Sequence, residues 1–132
     1  MKTLIATALL TLGFSSFQAQ AHEGHDQIPG AVKALHGGVV KTGKEFNVEM
    51  LAVDQNVEFF VLAHEGESID MKAVKLTATG KSPKGKAQEI KLENTGKSFK
   101  GTLDFQGSYR LDVEVKTEYK GKKDLYKFLA EK

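Results

Sequence analysis

Four histidines carry the chemistry this chain could do, and all of them fall in its first half: His22, His25, His36 and His64. Imidazole nitrogen binds copper, zinc and other borderline metals. His22 follows Ala19-Gln20-Ala21, a small-residue pattern of the kind signal peptidases cut. As a free N-terminus, His22 would offer its α-amine and ring Nδ1 as a bidentate chelate suited to Cu(II), with His25 three residues on. Cleavage two residues earlier would place it third, in Gln20-Ala21-His22, which also binds Cu(II) through backbone nitrogens. The bland alternative is a polar tail whose His22-Glu23-Gly24-His25-Asp26 run holds any borderline metal weakly.

His36 is more pointed, because it precedes Gly37-Gly38. Two glycines before a strand permit a close backbone approach or an unusual turn beside the imidazole. Further on, Phe46 to Val53 and Val57 to His64 alternate in period two and read as neighbouring strands. If Gln55-Asn56 is a two-residue turn, Met50 lies opposite Val61 and Asn47 opposite His64. Glu49 and His64 then become diagonal neighbours at roughly 7 to 8 Å, close enough to share one ion. His36, Glu49 and His64 are therefore the candidate metal ligands of the folded part, with His22 and His25 in the leader. Met50 and Met71 read as packing rather than thioether ligands. The chain has no cysteine, so a thiolate site, a disulfide framework and a cysteine nucleophile are excluded together.

The elements that must position these residues follow from the rest of the chain. In residues 1–21, Lys2 precedes an apolar stretch from Leu4 to Phe14, so they read as a signal peptide too short to span a membrane. A periplasmic or secreted location follows. Residues 22–35, with Gly24, Pro29 and Gly30, read as a flexible His-containing leader, and 36–132 as one domain. Only Lys2 among the charges lies in 1–21, which leaves 18 basic against 17 acidic residues, interspersed. Nucleic acid and anionic lipid are poor partners for such a surface.

Alternating runs continue at Val74-Leu76-Ala78, Ile90-Leu92, Phe99 to Phe105, Leu111-Val113-Val115 and Leu125 to Leu129, separated by turn-forming residues. About seven short strands without a convincing helix predict an all-β, immunoglobulin-like antiparallel sandwich. Asp104 to Val113 is similar to a tyrosine corner, which gives Tyr109 a structural role and puts Leu111 inside. The outward face carrying Glu49 also carries Leu51, Val53, Phe60 and Leu62. That is enough apolar surface to suggest a covering leader, a second protein or a homodimer partner, unless the sandwich closes around it.

His36 to Gly43, Phe46 to Met50 and Leu62 to Glu67 together resemble a small periplasmic domain found alone or attached to the periplasmic adaptor proteins of heavy-metal efflux pumps. The resemblance spans roughly 35 to 115. It implies an Ig-like domain that handles copper, silver or zinc, with His36, Glu49 and His64 at the matching positions and an efflux adaptor or other periplasmic protein as partner. The helical hairpin and lipoyl-like half of an adaptor have no counterpart here. Enzyme readings find little support, with no nucleophile elbow and no phosphate loop. An N-terminal histidine on a sandwich also suggests a copper monooxygenase of polysaccharides, but the flat aromatic surface is missing: there is no tryptophan and there are three tyrosines. A metal-binding protein is the expected function, and a metal-independent interaction module the alternative.

Overall fold

Period-two alternation builds nine strands among the described residues of the computed structural model, which are 32–65 and 67–132. In chain order they are β1 (Val39–Thr42), β2 (Asn47–Val53), β3 (Asn56–Leu62), β4 (Lys75–Lys81), β5 (Gln88–Ile90), β6 (Leu92–Asn94), β7 (Phe99–Thr102), β8 (Arg110–Tyr119) and β9 (Lys122–Glu131). One sheet has the order β1-β2-β3-β7-β6 and the other β5-β4-β8-β9, all antiparallel. The fold is an all-β two-sheet sandwich, as expected, with nine strands where about seven were anticipated. The difference comes from the short β1 and from one extended run that leaves the second sheet as β5 and joins the first as β6 after Lys91. Gly101 of β7 makes room for that crossing, since a Cβ there would lie 2.7 Å from the Lys91 carbonyl oxygen.

The core is the set of side chains that alternation turns inward. Val48, Met50, Val57 and Phe59 of the first sheet meet Leu76, Leu111, Val113, Val115, Tyr126 and Phe128 of the second. Met50 is core, and Met71, in a short 3-10 turn capped by Asp70, packs against it. The outer face of the second sheet is charged in cross-strand rows, such as Lys75, Glu118 and Lys123, which suits a solvated surface. In β9 the phase sets Tyr126, Phe128 and Ala130 inside, while Leu125 and Leu129 stay exposed. Among the described residues no helix is long and apolar enough to cross a membrane.

Two sequence expectations are corrected. Tyr109 does not form a tyrosine corner: its side chain is 69% exposed, although Leu111 is buried as expected. The locking tyrosine is Tyr126, whose hydroxyl donates to the Phe46 carbonyl at 2.9 Å and so ties β9 to the start of β2. The β2–β3 register also differs from expectation by two residues, because the turn is Asp54-Gln55, with Asp54 in the left-handed region at φ 54°. Asp tolerates that conformation better than most residues.

Tyr126 yields a prediction. Burial, then the nearby Asp124 charge, pushes its phenol up to about 12 from an ordinary 10.0. The unfolded chain therefore ionises first, and this group's contribution to stability is complete below pH 10 and lost as pH rises through 12. Tyr126→Phe should cost about 1 kcal/mol at pH 8 through the lost hydrogen bond. In urea titrations its deficit against wild type should shrink or reverse between pH 10 and 12; a constant deficit contradicts this account.

Candidate functional site

Glu49 points away from the core, on the opposite side of β2 from Val48 and Met50, yet it is 0% exposed. What covers it is the stretch Leu35–Gly38, which crosses the outer face of the first sheet before β1 begins. Its carboxylate accepts four hydrogen bonds from that stretch. The backbone N–H of His36 and of Gly38 donate to Oε1 at 2.9 and 2.8 Å, and the N–H of Leu35 donates to Oε2 at 3.0 Å. The fourth comes from His36 Nδ1, also at 3.0 Å to Oε2. Burial by itself pushes the carboxyl pKa up, but the His36 ring and the three backbone donors outweigh it and hold it below the ordinary 4.5.

Three backbone N–H groups already donate to the two carboxylate oxygens, so Glu49 is an acceptor toward the imidazole as well. Facing it, His36 Nδ1 donates, which in the neutral form of the ring leaves the lone pair on Nε2. The ring stacks on Phe60, with centroids 3.5 Å apart and planes 5° from parallel. Phe60 sits directly opposite Glu49 in the β2–β3 ladder, so one rung supplies both the carboxylate and the aromatic floor. The His36 side chain remains 38% exposed.

The glycines explain themselves at this site. Gly37 takes φ 82°, in the left-handed region where glycine has no penalty. Gly38 passes so close to β2 that a Cβ would run into the Met50 carbonyl, whose carbon would lie 2.8 Å away. Sharp turn, close passage and buried acid together form a clasp, and His36 is presented from it.

His64 stands elsewhere. It follows β3, and its Nε2 lies 3.2 Å from the Lys44 carbonyl, a pure acceptor, so Nε2 carries the hydrogen. This contact holds one side of the β1–β2 loop. The other side is held by Asp124, which accepts from Lys44 N–H at 2.6 Å, and by Lys122, paired with Glu45 at 3.1 Å. In the observed register Glu49 faces Phe60, four residues before His64 and so about 13 Å away along the strand. The structure thus joins His36 with Glu49 and does not bring His64 to them. His22 and His25 lie outside the described residues. Among the described residues no three His, Asp or Glu side chains are grouped as a set of metal ligands.

Of the apolar residues on this face, Phe60 lies under His36, Leu62 is 9% exposed, Leu51 is half-buried and Val53 is exposed. The part played by Phe60 as a stacking partner was missed at the sequence level, where it counted only as apolar surface. The backbone donors of residues 35 to 38 were missed as well. The one available signal was the His-Gly-Gly spacing itself, which marks a close approach without saying to what. No protein-family model, curated protein or solved structure matches the chain.

Proposed function

We propose that this chain is an exported transition-metal-binding protein of the periplasm, with copper as its cargo and zinc or silver as alternatives, acting in metal handling or efflux. One observation carries the reading: His36 Nδ1 lies 3.0 Å from an oxygen of the buried Glu49 carboxylate, while the imidazole side chain remains 38% exposed. Proteins commonly orient metal-ligating histidines in this way, with a carboxylate fixing the tautomer and raising the basicity of the free nitrogen. Glu49 then acts behind the ligand rather than on the ion, since both its oxygens are occupied.

The remaining donors come from outside the clasp. His25 precedes His36 by eleven residues, and that length of chain spans at most about 40 Å, so the leader imidazoles are tethered within reach of Nε2. Tethering raises their effective concentration to the millimolar range, well above that of a free competing ligand. The resemblance to efflux-adaptor domains supports the same reading. A second reading, an interaction module, draws on the exposed Leu35 and Val39 at the clasp and Val53 at the far end of β2, and would need no metal.

Calorimetric titration separates the two. The protein beginning at His22 should bind one equivalent of Cu(II) or Cu(I), and His36→Asn should weaken that binding at least tenfold. Deleting residues 22–30 should weaken it further while leaving the fold intact. Affinity no tighter than that of a free histidine peptide rules the metal reading out, and tight binding unaffected by His36→Asn moves the site from the clasp to the His22 leader.

A further inference from the structure

We infer that Phe60 is a positioning residue for the His36 imidazole, fixing the plane in which Nε2 is offered to a metal. The inference rests on the metal-binding reading above and adds to it the residue that sets the site's geometry. A single side-chain hydrogen bond, from Nδ1 to Glu49 Oε2, fixes a point on the ring but leaves it free to pivot about that contact. A near-parallel aromatic surface at 3.5 Å restricts the pivot, because tilting the imidazole out of that plane drives one edge into the phenyl ring. With both contacts in place, the direction of Nε2 is set before any ion arrives, and preorganisation of this sort raises affinity without adding a ligand.

The choice of residue points the same way. Strand β3 alternates, and its inward positions Val57 and Phe59 are in the core, whereas position 60 faces outward. Leucine, valine or isoleucine there would satisfy both the strand and the partial burial, but none has a flat face. Position 60 is also the partner of Glu49 across the ladder, so the distance between the acid and the aromatic floor is set by strand pairing and does not depend on a loop.

The test uses Phe60→Leu, with Phe60→Met as a second flexible apolar replacement should leucine lower the unfolding midpoint, and Phe60→Tyr as the conservative rescue. In the metal-free protein, ¹H–¹⁵N spectra should show a slowly exchanging His36 Nδ1–H and ring protons shifted upfield by the phenyl ring. Both features should vanish in Phe60→Leu or Phe60→Met and persist in Phe60→Tyr. With Cu(II) or Zn(II) as the probe, affinity should fall at least tenfold in the aliphatic variants and return in Phe60→Tyr. A folded aliphatic variant that keeps the Nδ1–H signal and binds metal like wild type overturns the inference. If wild type itself binds no metal beyond the level of a free histidine peptide, the proposed function falls, and the metal-free spectra still decide whether Phe60 locks the ring.

Discussion

Replacing Glu49 by Gln is expected to lower the free energy of unfolding by about 3 kcal/mol, because a charged acceptor serving four donors becomes a half-donor among them. The amide oxygen can still take the N–H groups of His36 and Gly38. Its NH2 would face the Leu35 N–H and His36 Nδ1, and the imidazole can meet it only by accepting at Nδ1. That moves the ring hydrogen to Nε2 and closes the lone pair through which a metal would bind. Glu49→Gln should therefore reduce stability and metal affinity together, with amide exchange accelerated at Leu35, His36 and Gly38. The acid limb supplies a check of sign. Since the folded carboxyl lies below the ordinary 4.5, its contribution is complete above that value and is lost as pH falls through the depressed value. The gap between wild type and Glu49→Gln in urea midpoints should be constant from pH 6 to 8 and narrow on acidification below 4.5; a gap that widens there contradicts the assignment.

Gly38→Ala is expected to cost about 3 kcal/mol, near the upper end for overpacking, because the methyl meets the backbone of Met50 rather than a side chain that can swing aside. Met50 is the pairing partner of Val39, the first residue of β1, so relief requires β1 to move off β2. Gly37→Ala offers the contrast. Its Cβ would meet nothing within 4 Å, and only the left-handed φ penalises it, at about 1 kcal/mol. Thermal unfolding of the two single variants should rank Gly38→Ala well below Gly37→Ala. Equal midpoints would mean that the close passage at Gly38 contributes little.

Much of this architecture was legible because each strand is written as alternation. Val57 and Phe59, or Leu111, Val113 and Val115, announce their inward face without further help. Register was less accessible. A slip of one residue exchanges the faces of a strand and is forbidden by the pattern, whereas a slip of two preserves them. The burial pattern of β2 and β3 is therefore satisfied both by a Gln55-Asn56 turn and by the observed Asp54-Gln55 turn, and the choice between them moves His64 relative to Glu49. Tyr126 escaped notice for a different reason: its partner, the Phe46 carbonyl, lies 80 residues away in the chain, and exposed Leu125 and Leu129 mask its phase. At the site, His36, its glycines and Glu49 could be singled out by residue type. That the acid would be consumed by backbone N–H groups of the preceding stretch could not, since every residue has such a donor and only the fold says where it points.

The central claim is that His36 offers its Nε2 to a transition metal while Glu49 holds Nδ1. The most direct measurement is a long-range ¹H–¹⁵N correlation of the protein beginning at His22, recorded without metal and with one equivalent of Zn(II). Metal-free His36 should show the Nδ1–H tautomer. On addition of Zn(II), its Nε2 resonance should move to the range of a coordinated nitrogen while Nδ1 stays protonated and hydrogen-bonded, with His64 unchanged. An unperturbed His36, or a shift confined to His64, would contradict the account.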